Sequence, residues 1–188
     1  MLIKNGKLIK SDGNIKKLVD NTFEVHYLGF IYTNKSQNEE DCIKELLLLL
    51  NNNESIDFNI LKGIFLICIR NRINGVSYVF TDNSGMYKSY IENNIISSSF
   101  LELVDYLNVS VSDLDYESVN EFLHLGFVHS NNTFIKSIKR INFSEVIEWK
   151  NGQKNIYNKN LTNIEDKNIE LSFEDHFDIF SNAIKRKT

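Results

Sequence analysis

Gly63-Ile64-Phe65-Leu66-Ile67-Cys68-Ile69, Asn74-Gly75, Val76-Ser77-Tyr78-Val79-Phe80-Thr81 and Asp82-Asn83-Ser84-Gly85 follow one another closely, and the architecture is read from them. A short continuous apolar run, a turn dipeptide and a returning β-rich run describe an antiparallel hairpin. Asn-Gly accepts positive φ at little cost, and a strand buried on both faces needs no polar alternation. The turn at 82–85 leads into two further short strands, expected at 86–91 and 95–98 and joined by Glu92-Asn93-Asn94. The result is a meander.

Upstream, Leu2-Ile3-Lys4, Asn5-Gly6 and Lys7-Leu8-Ile9-Lys10 repeat the hairpin signal at the start of the chain. Phe23 to Tyr32 is aromatic and β-branched, with Gly29 inside it, and reads as a largely buried strand. Ser36 or Asn38 can cap a helix running to about Leu50. Glu39, Glu40 and Asp41 lie in its first turn, where the helix dipole favours negative charge, and Ile43, Leu46, Leu47 and Leu50 share one face. Downstream, helical spacing returns in Phe100, Leu101, Val104 and Leu107, and again in Val119, Phe122, Leu123 and Leu125. Residues 133–157 are strand-like, with Asn151-Gly152 as a third hairpin turn. Residues 158–168 are polar and read as a loop, and Ser172-Phe173-Glu174-Asp175 opens a helix with Phe173, Phe177, Phe180 and Ile184 on one face. Antiparallel groups of strands followed by helices predict an α+β layered fold and not alternating βαβ units.

A chain of 188 residues that is 42% hydrophobic can bury one sizeable core. The expected division is a main domain over 1–158 and a linker with a helix over 159–188. A net charge of −4, from 25 acids and 21 bases scattered along the chain, leaves no basic stripe for a phosphate backbone, which excludes nucleic acid as the expected partner. No apolar run approaches the roughly 18 residues of a membrane helix, and the amino terminus lacks the apolar core of a signal peptide. A cytoplasmic, non-membrane location is the expectation. Cys42 and Cys68 both sit in hydrophobic segments and read as buried, unreactive thiols. His26, His124, His129 and His176 have no metal-ligand spacing, so no metal is expected, nor any cofactor in this chain.

Taken in order, these segments resemble the class II glutamine amidotransferase domain that precedes the synthetase domain in asparagine synthases and β-lactam synthetases. The resemblance covers roughly 25–188. The family's Gly-Asp/Ala-Phe-Ala-Phe strand corresponds to Gly63-Ile64-Phe65-Leu66-Ile67, and its Arg-Asp-x-x-Gly-x-x-x-Leu-Tyr-Tyr turn to Thr81-Asp82-Asn83-Ser84-Gly85 with Tyr87-Lys88-Ser89-Tyr90. Its Ser-Glu segment corresponds to Ile96-Ser97-Ser98-Ser99-Phe100-Leu101-Glu102-Leu103, with Ser98 on the Ser. Phe122-Leu123-His124-Leu125-Gly126-Phe127-Val128 and Thr133-Phe134-Ile135-Lys136-Ser137-Ile138 follow in family order, and Phe143-Ser144 stands where the family has Pro-Gly. The resemblance implies the N-terminal-nucleophile (Ntn-hydrolase-like) fold, an αββα sandwich of two antiparallel sheets flanked by helices.

It also implies a reaction that this sequence cannot begin. The family hydrolyses glutamine with a cysteine exposed as the first residue after Met removal, its α-amino group acting as base. Here that position is Leu2, which has no nucleophilic atom. The family's Asn-Gly-Glu-Ile-Tyr-Asn segment is matched by Leu28-Gly29-Phe30-Ile31-Tyr32-Thr33-Asn34, so the Asn that supplies an oxyanion-hole amide and the Glu are gone. Loss of such a donor alone costs roughly 10²- to 10³-fold in rate. The Arg-Gly-Pro-Asp clamp is missing, and only 27 residues precede Leu28, fewer than the family's usual leading segment. Asn38 replaces the acid of the family's Asp-x-Glu. Asp82 and Gly85 match the signature turn, but they read first as turn formers, through side-chain capping and positive φ.

The expected function is therefore that of a degenerate glutaminase-like domain with a supporting role in an ATP-dependent amide ligase. Its expected partner is a synthetase domain beyond Thr188, since the Ser-Gly-Gly-x-Asp-Ser pyrophosphate loop of such a domain does not occur in these residues. A homodimer is left open. The alternative is a stand-alone protein- or ligand-binding module on the same fold.

Overall fold

Alternating side chains along the strands build two stacked antiparallel sheets. The computed structural model describes residues 1–11, 13–51 and 58–159, together with Glu174, Phe177 and Ser181. Its elements are β1 (Leu2–Lys4), β2 (Lys7–Lys10), β3 (Lys16–Val19), β4 (Phe23–Tyr32), α1 (Glu39–Asn51), β5 (Lys62–Asn71), β6 (Ser77–Thr81), β7 (Tyr90–Glu92), β8 (Ile95–Ser97), α2 (Phe100–Leu107), α3 (Tyr116–Leu125), β9 (Lys139–Arg140), β10 (Glu145–Lys150) and β11 (Gln153–Asn158). The five-stranded sheet has the order β2-β1-β8-β7-β9 and the six-stranded sheet the order β11-β10-β6-β5-β4-β3, every pairing antiparallel. The chain is thus an α+β protein. Among the described residues, no helix is long and apolar enough to cross a membrane.

Because strand side chains point alternately to opposite faces, neighbouring residues enter different cores. Ile3, Ile91 and Ile96 of the smaller sheet meet Leu28, Leu66, Cys68, Val79, Ile147 and Trp149 of the larger one in an apolar layer between the sheets. Val25, Tyr27, Ile31, Phe65, Ile67, Ile69, Phe80 and Val146 point the other way, under α1. Leu2, Tyr90 and Ile95 face α2 on the far side of the smaller sheet. Helix, sheet, sheet and helix therefore stack as layers.

Each helix starts where side-chain chemistry permits. The Asn38 side-chain carbonyl accepts the amides of Glu40 and Asp41 at the head of α1, whose Cys42, Ile43, Leu46, Leu47 and Leu50 are buried on the sheet. Burying a Leu or Ile in this way stabilises the fold by about 1.5–3 kcal/mol per side chain. Ser99 caps α2 and Asp115 caps α3, while Asn108 and Gly126 close them in the left-handed conformation. Of α3's residues only Ser118 is buried, and Tyr116 and Leu123 stay largely exposed.

Several expectations need correction. Residues 86–89 are not strand, because the amides of Met86 and Tyr87 are taken by the Asp82 carboxylate and β7 begins only at Tyr90. β3 was not expected: its Lys16-Lys17-Leu18-Val19 is short and half charged, yet it pairs with β4 along the sheet edge. Within 133–157, residues 133–138 form only an isolated bridge between Ile135 and Leu114. The helix expected after Ser172 lies mostly outside the described residues, although Glu174, Phe177 and Ser181 are helical.

The β4–β5 pairing sets a narrow backbone requirement. Gly29 and Gly63 adopt φ of +91° and +124°, and a Cβ added to them would lie 2.0 Å from the Ile64 carbonyl oxygen and 2.2 Å from the Phe30 carbonyl oxygen, respectively. Neither obstacle is a flexible side-chain tip, so the strands would have to separate. Gly63→Ala is expected to lose more than about 2 kcal/mol in urea unfolding, from positive φ plus the clash. Gly152→Ala, with φ of +77° and open space around the new methyl, should lose only about 1 kcal/mol. Equal losses in the two variants would show that the close approach costs nothing.

Candidate functional site

β1 runs between β2 and β8, which places the amino terminus inside the protein. The Met1 ammonium donates to Ser98 Oγ at 2.8 Å and lies 3.4 Å from Glu102 Oε2. Ser97 Oγ also donates to Glu102 Oε2 at 2.9 Å, and Lys10 Nζ lies 3.3 Å from the other oxygen. Burial raises the pKa of Glu102, but the Ser97 hydroxyl, the ammonium and Lys10 outweigh it and hold the carboxyl below its ordinary value. Leu2 is 1% exposed and packs with Leu103, Ile135 and Ile138. Its side chain is core, and it carries no lone pair with which to attack a carbonyl.

The remaining residues of the expected pocket are dispersed. Leu28 enters the inter-sheet layer with Met1. Gly29 is exposed, and its carbonyl accepts Lys16 Nζ at 3.1 Å. Phe30 stacks on Tyr32, with ring centroids 6.4 Å apart. Asn38 is an exposed helix cap linked to this region only through its neighbour: Glu39 accepts Lys16 Nζ at 2.7 Å and the Tyr27 hydroxyl at 3.0 Å. Core packing, ring stacking, a backbone contact and helix capping thus occupy the four positions.

Both cysteines are buried. Burial pushes the Cys68 thiol up to about 12, so it is a thiol and not a thiolate at neutral pH. Cys42 donates to the Ser36 carbonyl at 3.2 Å. His26 is buried and its pKa lowered by that burial, Glu24 opposing. His124 contacts the Asn120 carbonyl at 2.8 Å, His129 lies 3.4 Å from Glu121, and His176 is outside the described residues. Among the described residues, no group of three or more His, Cys, Asp or Glu is placed to hold a metal ion.

The turn at Asp82 and Gly85 is the most organised polar feature. Asp82 is fully buried, and its carboxylate accepts the amides of Ser84, Met86 and Tyr87 and the Ser84 hydroxyl. Burial would raise its pKa, but these donors together hold it below the ordinary range. Gly85 has φ of +66°, and a methyl there would press on Phe143 at 3.2 Å. Beside the turn lies Lys159, whose Nζ donates to the Thr81 carbonyl and to Asn83 Oδ1 and sits 5.3 Å from the Phe80 ring centre. Burial lowers its pKa to about 8, with Asp82 opposing. No local pattern singles out Lys159, which lies 76 residues from Asn83.

Gly85 also borders a cavity of about 220 Å³, shared with Lys88, Ser89, Asn131, Arg140 and Phe143. Ser89 is 1% exposed, and among the described residues neither its hydroxyl nor the buried Arg140 Nε has a hydrogen-bond partner. Ser89 and Arg140 were missed by sequence reasoning because no local pattern joins a loop serine to a cation 51 positions away.

Asp82→Ala is expected to unfold more easily by roughly 2–4 kcal/mol, since it strands several inward-pointing donors. Because the folded pKa is depressed, the carboxylate's contribution is complete above the unfolded value of about 3.9 and is lost as pH falls through the folded pKa. The acid limb of stability against pH, measured by chemical unfolding, should therefore flatten in the variant; an unchanged limb would remove Asp82 from the account. No protein-family model matches this chain, and no curated protein matches it.

Proposed function

We propose that the chain is a degenerate N-terminal glutaminase-like domain of an asparagine-synthase-type amide ligase, on an N-terminal-nucleophile-like sandwich, and that it supports a partner synthetase domain without hydrolysing glutamine. The order of the sequence motifs supports the family reading, and the layering of α1, two antiparallel sheets and α2 is consistent with it. One observation carries the loss of activity. The second residue is a hydrocarbon packed under α2, and the terminal ammonium is engaged by Ser98 and Glu102. Acyl transfer from glutamine needs an attacking atom beside a base, and here the base-like group has no thiol next to it. Nitrogen for the ligase reaction would then come from ammonia or a substrate amine, with ATP chemistry in the partner domain.

The second reading, a stand-alone binding module, is favoured by a different observation: two residues that line one cavity, Ser89 and Arg140, each carry a buried polar group with no partner among the described residues. The gene separates the two readings. A synthetase domain with a Ser-Gly-Gly-x-Asp-Ser loop encoded in frame after Thr188 supports the ligase, and a stop codon there supports the module. The purified chain should release no ammonia from glutamine and take no covalent label from a glutamine-analogue electrophile, read by intact-mass spectrometry. Ammonia release above a no-protein blank would overturn the assignment of inactivity.

A further inference from the structure

We infer that the cavity bordered by Ser89 and Arg140 binds a small oxyanion, a carboxylate or a phosphate group. The inference stands on the geometry of the cavity and holds whichever reading of the parent protein is correct. Buried polar groups in native proteins nearly always have partners, so two orphans among the described residues, both on side chains of residues that line one cavity, point to a missing third party. The guanidinium Nε can only donate, and the Ser89 hydroxyl can donate alongside it. A ligand serving both must accept two hydrogen bonds, as an oxyanion does.

Charge points the same way. None of the described residues bordering the cavity is acidic, while Arg140 and Lys88 are cationic. Among the described residues neither cation is paired with a carboxylate: Lys88 Nζ donates to the Gly85 carbonyl at 2.7 Å, and Arg140 Nη2 donates to the carbonyls of Val128 and Ser130. The nearby Asp82 carboxylate is already occupied by the amides of its own turn. A charge-assisted bond from a guanidinium to an oxyanion is about twice as strong as a neutral one.

The site is also built in advance. Two carbonyls fix the Arg140 guanidinium, and one of them belongs to Ser130, held at φ of +55°. Arg140 itself is pinned in β9, which pairs Arg140 with Tyr90, and Ser89 is tied to the same edge by the Ile141 amide donating to its carbonyl at 3.0 Å. Size is adequate, since an apolar cavity of about 150 Å³ accepts benzene, and this one is about 220 Å³. Inorganic phosphate and benzoate therefore both fit. Arg140 also borders a second cavity of about 330 Å³, walled by Tyr90, Phe100, Phe122 and Phe134, which offers an apolar body somewhere to extend.

The test is calorimetric titration of the full 188-residue chain with inorganic phosphate and, separately, with benzoate, with sodium chloride at matched ionic strength as the reference. At least one of the two anions should bind beyond the chloride reference. Phosphate alone identifies a phosphate-bearing ligand, and benzoate alone an organic acid. Ser89→Ala should weaken binding by about tenfold or more, the effect of one lost bond to a charged group. Its ligand-free Tm should not fall, because the hydroxyl removed has no partner among the described residues. Arg140→Lys, which keeps the charge but loses Nε, should weaken binding as well. No heat beyond chloride with either anion would mean that water alone fills the cavity and would overturn the inference. So would Ser89→Ala binding as tightly as the parent chain.

Discussion

Two sheets stack only if each turns an apolar face to the other, and in this chain the requirement is met by strict alternation along short strands. Ile3, Ile96 and Ile91 face inward from one side; Leu28, Leu66, Cys68, Val79 and Ile147 answer from the other. The residues between them are committed to the outer layers, so a one-residue slip in any strand would exchange inner and outer sets. Positions open to chemistry are bound by the same rule. Leu2 lies between Met1 and Ile3, both in the inter-sheet layer, and so must point outward under α2.

This constraint shapes the amino-terminal site. A catalytic terminus needs a reactive side chain facing a solvent-filled pocket and an amine free to take a proton. Here the side chain is apolar core and the amine sits between a hydroxyl and a carboxylate. Glu102, held ionised by Ser97, the ammonium and Lys10, makes the arrangement an internal ion pair that fastens β1 to the start of α2. Such a contact is structural in character, whatever its ancestry.

Much of the architecture was readable because it is local. Asn5-Gly6 turns the first hairpin with φ of +51° and +69°, Phe23–Tyr32 is the long strand β4, and Asn38 starts α1. Reading failed where a distant or non-repetitive partner decides the outcome. Residues 86–89 have strand-like composition, but a carboxylate four and five positions back claims two of their amides. Lys16-Lys17 discourages a strand assignment until β4 supplies the pairing. The same limit applies to the site: the lack of a nucleophilic atom at Leu2 is written in one residue, whereas Ser89 and Arg140 meet only after β7 and β9 pair.

The strand order carries one more consequence, for how this protein behaves in a crowded solution. Open sheet borders invite foreign strands to add on, and cationic side chains discourage it. Among the described residues the four outermost strands are β2, β9, β3 and β11, and they carry Lys7 and Lys10, Lys139 and Arg140, Lys16 and Lys17, and Lys154. Three borders are doubly guarded. The fourth has a single lysine beside Ile156, which is 51% exposed. If this protein ever joins another through its backbone, β11 is where the seam opens.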